Sequence, residues 1–232
     1  MPYIEKRIYS GRYLEVMRYY LPDQRRPPNR APRENPIRKE QEELNNRNSV
    51  KNLARRMQAN FTEDDLFVTL TYKNKKISED EAKKQRRNFI KRAQDFCRKS
   101  GRPEFKYIIV TETTEKRKGI HHHMVCNSLT MDEVQAIWGQ GRTTSSNLEF
   151  DVNGLMGLAT YLTKEKHDKN EKRWSGSKNL TEPVIETKTL GKPPSKNAPK
   201  PLKGYRVVEA QLYDNFFTGR SQYITMVQIE GG

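Results

Sequence analysis

The 232-residue chain contains only two cysteines, Cys97 and Cys126. Two are too few for a disulfide framework or a four-cysteine zinc site, and a reducing cytoplasm is the expected compartment. No run approaches the roughly 18 apolar residues that a membrane helix needs, so an integral membrane protein is not expected. The opening stretch, MPYIEKRIYSGRYLEV, has no apolar signal region, which argues against export by that route. No GxxxxGK[ST] phosphate loop occurs, and a built-in ATPase or helicase is not expected. Hydrophobic residues make up 33% of the chain and the mean hydropathy is −1.02, both low for a compact globule. A modest core beneath a wide polar surface follows.

Positive charge is abundant. Lys and Arg number 44 against 29 Asp and Glu, a formal charge of +15. Such an excess points to a polyanionic partner, with nucleic acid first, because each Lys or Arg on a phosphate releases a counterion. An anionic membrane surface is the weaker alternative, since no long amphipathic Lys/Arg helix stands alone. Charge by itself separates neither DNA from RNA nor binding from chemistry.

Nine of the twelve prolines lie in two stretches, Pro22–Pro36 and Pro193–Pro201. Both also carry Arg or Lys and read as extended connectors, either plain solvated linkers or strips lying along a phosphate backbone. Helical patterns are expected over 37–60, 79–99 and 153–166. Strands are expected over 66–72, 105–112 and 120–126. Thr130 with Glu133 three residues on predicts a capping box at a further helix running to Trp138. A hairpin over 3–20 and strands over 205–213 and 222–229 complete the pattern. Strands interleaved with helices predict an α+β fold with a central antiparallel sheet and packed helices. The expected division is an N-terminal hairpin (1–21), a Pro/Arg-rich connector (22–36), a central domain with a leading helix (37–182), a Lys/Pro-rich connector (183–204) and C-terminal strands (205–232).

Three of the four histidines are consecutive, His121, His122 and His123. Alternate strand residues share a face, so His121 and His123 project together with Cα atoms about 7 Å apart, and His122 points the other way. Glu112 ends the preceding strand. An antiparallel pairing that sets Glu112 opposite either His121 or His123 puts all three on one face, a two-His, one-carboxylate set with open positions. The alternatives are a non-specific metal-binding patch, a packed histidine and a merely polar strand end.

In 153–166, Leu155, Leu158, Ala159 and Leu162 fall on one helical face, and Tyr161 borders that stripe with Lys164 three residues on. Gly157, one turn earlier, leaves open space beneath the phenol. A tyrosine in this position is ordinarily a boundary residue with its hydroxyl in water.

Taken together, Phe67–Tyr72 (FVTLTY), the run Gly-Ile-His-His-His-Met of 119–124 and Tyr161-Leu-Thr-Lys164 resemble, in this order, the HUH endonucleases, closest to rolling-circle replication initiators of phage and plasmid type. Lys172–Leu180 (KRWSGSKNL) resembles the segment after the tyrosine helix in filamentous-phage-like replication proteins. The resemblance spans roughly residues 62–182. It departs from the pattern in having His122 where an aliphatic residue is usual, and in having one helical tyrosine where some phage initiators have two.

The resemblance implies metal-assisted tyrosine transesterification. Glu112, His121 and His123 would hold Mn²⁺ or Mg²⁺, Tyr161 would be the nucleophile and Lys164 its supporting cation. The product would be a 5′-phosphotyrosine and a free 3′-hydroxyl. Implied partners are single-stranded DNA at a replication origin, in some cases as an extruded hairpin, with a host helicase and DNA polymerase. Arg173, Trp174 and Lys178 are candidate DNA contacts through stacking and backbone binding, with a core or loop anchor as the alternative for Trp174. Three other readings stay open: a non-catalytic single-strand-binding module, a relaxase or single-tyrosine transposase with the same chemistry, and a hydrolase using activated water.

Overall fold

The computed structural model describes residues 3–21, 39–114, 119–164, 174–216 and 219–229; the Pro/Arg-rich connector 22–36 lies outside them. In chain order the elements are β1 (Tyr3–Ser10), β2 (Tyr13–Tyr20), α1 (Lys39–Gln58), β3 (Leu66–Thr71), α2 (Glu79–Lys99), β4 (Tyr107–Thr114), β5 (Gly119–Cys126), α3 (Met131–Trp138), β6 (Thr143–Asn147), α4 (Met156–Leu162), β7 (Ser175–Gly176), β8 (Val184–Leu190), β9 (Tyr205–Asn215) and β10 (Gly219–Gln228). They form two antiparallel five-stranded sheets with helices, the α+β class expected. No helix among the described residues is long and apolar enough to cross a membrane.

The chain divides into two compact units, residues 1–59 with 182–232, and residues 60–181. In the first, the strand order is β8-β1-β2-β10-β9. Leu14, Val16, Ile224 and Met226 form its buried apolar cluster. Glu5 is buried on this sheet among Arg7, Arg18 and Lys188, at 2.8, 2.6 and 3.0 Å. Burial alone would raise the Glu5 carboxyl, but hydrogen bonds from Arg18 and Lys188 and the charge of Arg7 outweigh it and hold it below its usual range.

Two departures from the sequence reading fall here. Helix α1, expected to lead the central domain, belongs instead with the flanking strands. Its Leu53, Ala54 and Met57 are buried, and Arg55 forms a two-bond ion pair with Glu15 of β2 at 2.6 and 2.7 Å. The stretch 183–204, expected as a connector, contains strand β8, which pairs with β1 along its full length. Its residues are nearly all exposed, so no apolar alternation marks it, and only β1 completes its backbone hydrogen bonds.

The second unit has the order β6-β3-β5-β4-β7. One face of this sheet carries Leu66, Val68, Leu70, Ile109, Met124 and Cys126, packed with Phe89, Ala93 and Cys97 of α2 and with Val134 and Trp138 of α3. Fully burying a side chain the size of Phe89, Leu70 or Met124 contributes about 1.5–3 kcal/mol. Both cysteines are free and buried here, and burial pushes both thiols up. Ser78 caps α2 by accepting from the Glu81 N–H, and its acidic first turn and basic last turn complement the helix dipole. The Thr130–Glu133 capping box at α3 is present as predicted.

His122 belongs to this buried face and is 0% exposed. The Tyr72 hydroxyl donates to the Ala82 carbonyl at 3.1 Å, so it accepts from His122 Nε2–H at 2.8 Å. His122 Nδ1 therefore accepts from the Thr111 hydroxyl at 2.9 Å, and Arg86 donates to that same hydroxyl oxygen at 2.9 Å. Every polar atom of the imidazole is satisfied in its neutral form. Burial first, and then the positive charge of Arg86, push its pKa down to about 3.

That value lies below the 6.5 of an unperturbed histidine, so the associated stability is present above pH 6.5 and is lost as pH falls toward 3. The loss amounts to about 1.4 kcal/mol per pH unit. Urea midpoints should fall between pH 7 and pH 5, and His122→Gln should reduce that fall. A wild-type midpoint constant over this interval would contradict a buried neutral imidazole.

Candidate active site

The opposite face of the same sheet is polar near its middle. Antiparallel pairing sets Glu112 directly across from His121 and Val110 across from His123, so Glu112, His121 and His123 share this face, as the parity argument predicts. His123 is fixed from both sides. Its Nε2 lies 2.7 Å from Glu112 Oε2 and its Nδ1 lies 3.0 Å from Thr69 Oγ1. Glu112 and His123 are each only 4% exposed. Burial, partly offset by the hydrogen bond and charge of Glu112, lowers the pKa of His123 and keeps the ring neutral near pH 7.

His121 sits differently. Its Nδ1 lies 3.2 Å from the Gly119 carbonyl oxygen. A carbonyl only accepts, so Nδ1 carries the proton and the neutral ring presents Nε2 as a free lone pair. The ring leans toward Gly119, away from the Glu112–His123 pair, and among the described residues no three His, Cys, Asp or Glu side chains are gathered closely enough to hold a metal ion. The donor set nonetheless has suitable chemistry for one: a carboxylate and two imidazoles on one face, with Nε2 of His121 open. The Thr69 hydroxyl can either donate to or accept from His123 Nδ1, so His123 could turn its Nε2 lone pair to a cation without losing its second partner.

Helix α4 lies over this face. It is only seven residues long and no side chain caps its start, so packing rather than propensity holds it. Its Ala159 and Leu162 are buried, as is Leu155 just before it. Tyr161 is 37% exposed, with its ring edge-on to His123 at 5.3 Å and to Phe67 at 6.1 Å between centroids. Phe67 in turn stacks on His123 at 5.9 Å. Lys164, just beyond the helix, places Nζ 4.2 Å from the Tyr161 ring centre and 3.6 Å from Glu112 Oε1. Tyr161, Lys164, Glu112 and His123 thus form one connected group, with His121 on the same face but turned aside.

The remaining candidates are more dispersed. Trp174 is half-buried, and its ring lies over Gly176, where an added Cβ would come 3.4 Å from the indole. It immediately precedes the edge strand β7, which pairs with β4 at Ile108 and Ile109. Lys178 is exposed, and Arg173 lies outside the described residues. Two participants escaped the sequence reading, Phe67 and Thr69. Their alternate positions in FVTLTY were a signal, but only the pairing of Thr69 with His123 brings them to this face.

This α+β unit thus gathers a carboxylate, imidazoles, a half-exposed tyrosine and a lysine on one sheet face. Residues 65–166 match the family model described as "Replication-associated protein ORF2/G2P". The match covers less than half of the chain but includes every member of the connected group, and it supports a replication-initiator role of Rep type. Neither the curated proteins nor the solved structures give any match.

The helix that carries the tyrosine offers a direct check. Gly157 is exposed, and a Cβ placed there meets nothing within 4 Å, so the expected open space exists but the phenol does not lie over it. Gly157→Ala should stabilise the second unit by up to about 1 kcal/mol, measured as a raised unfolding midpoint.

Proposed function

We propose that the chain is a replication initiator that nicks and rejoins single-stranded DNA, with Tyr161 as the nucleophile. The observation that carries this reading is the convergence of Tyr161 and Lys164 on the Glu112–His123 pair. A phosphodiester repels an anionic attacker, so catalysis here is mainly alignment and charge neutralisation.

Tyr161 attacks phosphorus. The bond from its Oη to phosphorus forms as the bond from phosphorus to the 3′ oxygen breaks, leaving a 5′-phosphotyrosine. The phenolic proton is lost and the departing 3′ oxygen gains one, so charge and phosphoester number balance and the step runs in reverse to rejoin strands. A free phenol ionises near pH 10 and needs assistance at neutral pH. Lys164, against the ring face and beside the carboxylate, favours the negative charge that develops on the phenol oxygen and the phosphate. Phe67 and His123 set the plane of the ring by edge contacts. Glu112, His121 and His123 would hold a divalent ion, Mn²⁺ or Mg²⁺, which when bound supplies Lewis-acid stabilisation of the phosphate charge. The liberated 3′-hydroxyl would serve a DNA polymerase, with strand separation supplied by a separate helicase.

The test is a denaturation-resistant adduct. Protein, manganese and a labelled pool of randomised single-stranded oligonucleotides should give a covalent species on a denaturing gel, with the modified peptide mapped by mass spectrometry to Tyr161. Tyr161→Phe should abolish it, and His123→Ala should lower its rate by 100-fold or more. Cleavage without an adduct would point to activated water instead. An adduct that persists in Tyr161→Phe would place the nucleophile elsewhere.

A further inference from the structure

Two loops that carry Lys73, Lys75 and Arg142 meet the end of β5 where His121 sits. His121 pairs across the sheet with Thr71 as well as with Glu112. The chain beyond Thr71 forms the loop to α2, and the Lys75 stem lies against Gly119: Lys75 Cδ and His121 Cε1 are each 3.9 Å from the same point, the position of a Gly119 Cβ. The loop between α3 and β6 is bound to this end too. Thr71 donates to the Arg142 carbonyl through both N–H and Oγ1, at 3.1 and 2.7 Å, and Lys73 N–H donates to the Gln140 carbonyl at 3.0 Å. Gly141 approaches the Thr71 carbonyl so closely that a Cβ there would collide with it.

Both loops are therefore held in place by backbone bonds. Asn74 adds to this by accepting the Lys76 N–H through its side chain at 3.0 Å. Lys73, Lys75 and Arg142 are all exposed, and among the described residues none has a side-chain ion pair or hydrogen bond. Lys83 and Lys84, a turn into α2, by contrast each reach a carboxylate at 3.7 Å. Three cations without a carboxylate partner among the described residues, carried on held loops at the His121 end, are suited to phosphates.

We propose that Lys73, Lys75 and Arg142 form a phosphate-binding rim that grips the single DNA strand on the His121 side of the site. The proposal rests on the nicking reading and adds a direction to it. Lys164 and Tyr161 stand at the Glu112–His123 side, so the strand crosses the site from Lys164 toward Lys75 and the rim takes phosphates flanking the scissile one.

The experiment measures binding without cleavage. Fluorescence anisotropy with a labelled single-stranded oligonucleotide, in chelator and over a series of salt concentrations, yields the slope of log K against log salt. Each lost contact should reduce the magnitude of that slope by about 0.7. Lys75→Ala should therefore reduce it by about 0.7 and Lys73→Ala/Lys75→Ala by about 1.4, while Lys83→Ala leaves it unchanged. If the wild type binds and the double variant keeps the full slope, the rim is overturned while the nicking reading stands. If the wild type does not bind single-stranded DNA at all, both are overturned.

Discussion

The pairing of β4 with β5 governs the rest of the second unit. With Glu112 opposite His121, even-numbered residues of β4 and odd-numbered residues of β5 share the polar face, while Ile109, Met124 and Cys126 enter the core. A slip of one residue would send Glu112 into the apolar layer and expose Ile109. The cost of that exchange, a buried unpaired carboxylate and lost burial of several large side chains, holds the register. His122 adds to it, because its hydrogen bonds to Tyr72 and Thr111 exist only when β3, β4 and β5 lie in this alignment.

Three adjacent histidines are consequently put to different uses by environment alone. His122 is enclosed, neutral and fully partnered, and belongs to the core. His123 stands at the floor of the polar face, clamped between Thr69 and Glu112. His121, near the strand end, is half-buried with an open Nε2. The contrast extends to the tyrosines: Tyr72 is buried with its hydroxyl committed to Ala82 and His122, whereas Tyr161 stays accessible above the Glu112–His123 pair. An accessible phenol next to a buried carboxylate–imidazole pair is what separates the polar face from the packed one.

How much of this could be read from residues alone depends on how local the signal was. Strands β3, β4 and β5 alternate apolar side chains, and helices α2 and α3 carry caps, so their positions were legible within a few residues. Strand β6, TTSSN, and strand β8, VIETKTL, have no apolar face and exist because β3 and β1 offer them hydrogen-bonding edges. The affiliation of α1 was equally hidden, since an apolar stripe of Leu53, Ala54 and Met57 states that something is covered without stating what. Within the site, Glu112 and the histidines were legible by parity, but the lean of His121 toward Gly119 was not. It depends on the ring rotating back to the Gly119 carbonyl two residues earlier in the same strand, a rotamer choice that strand alternation does not encode.

The sequence by itself determined the alternation that separates His122 from His121 and His123, the excess of positive charge, and the order of strand, histidine run and tyrosine helix. These are properties of covalent spacing, which the period of a strand or a helix converts directly into a face. Only the tertiary structure decided which faces meet. It laid a seven-residue helix across the polar side of the sheet, set Lys164 between Tyr161 and Glu112, and brought Lys73, Lys75 and Arg142 from two separate loops to the His121 end. Those contacts join residues far apart in the chain, and their geometry comes from sheet order and packing, which no local period encodes.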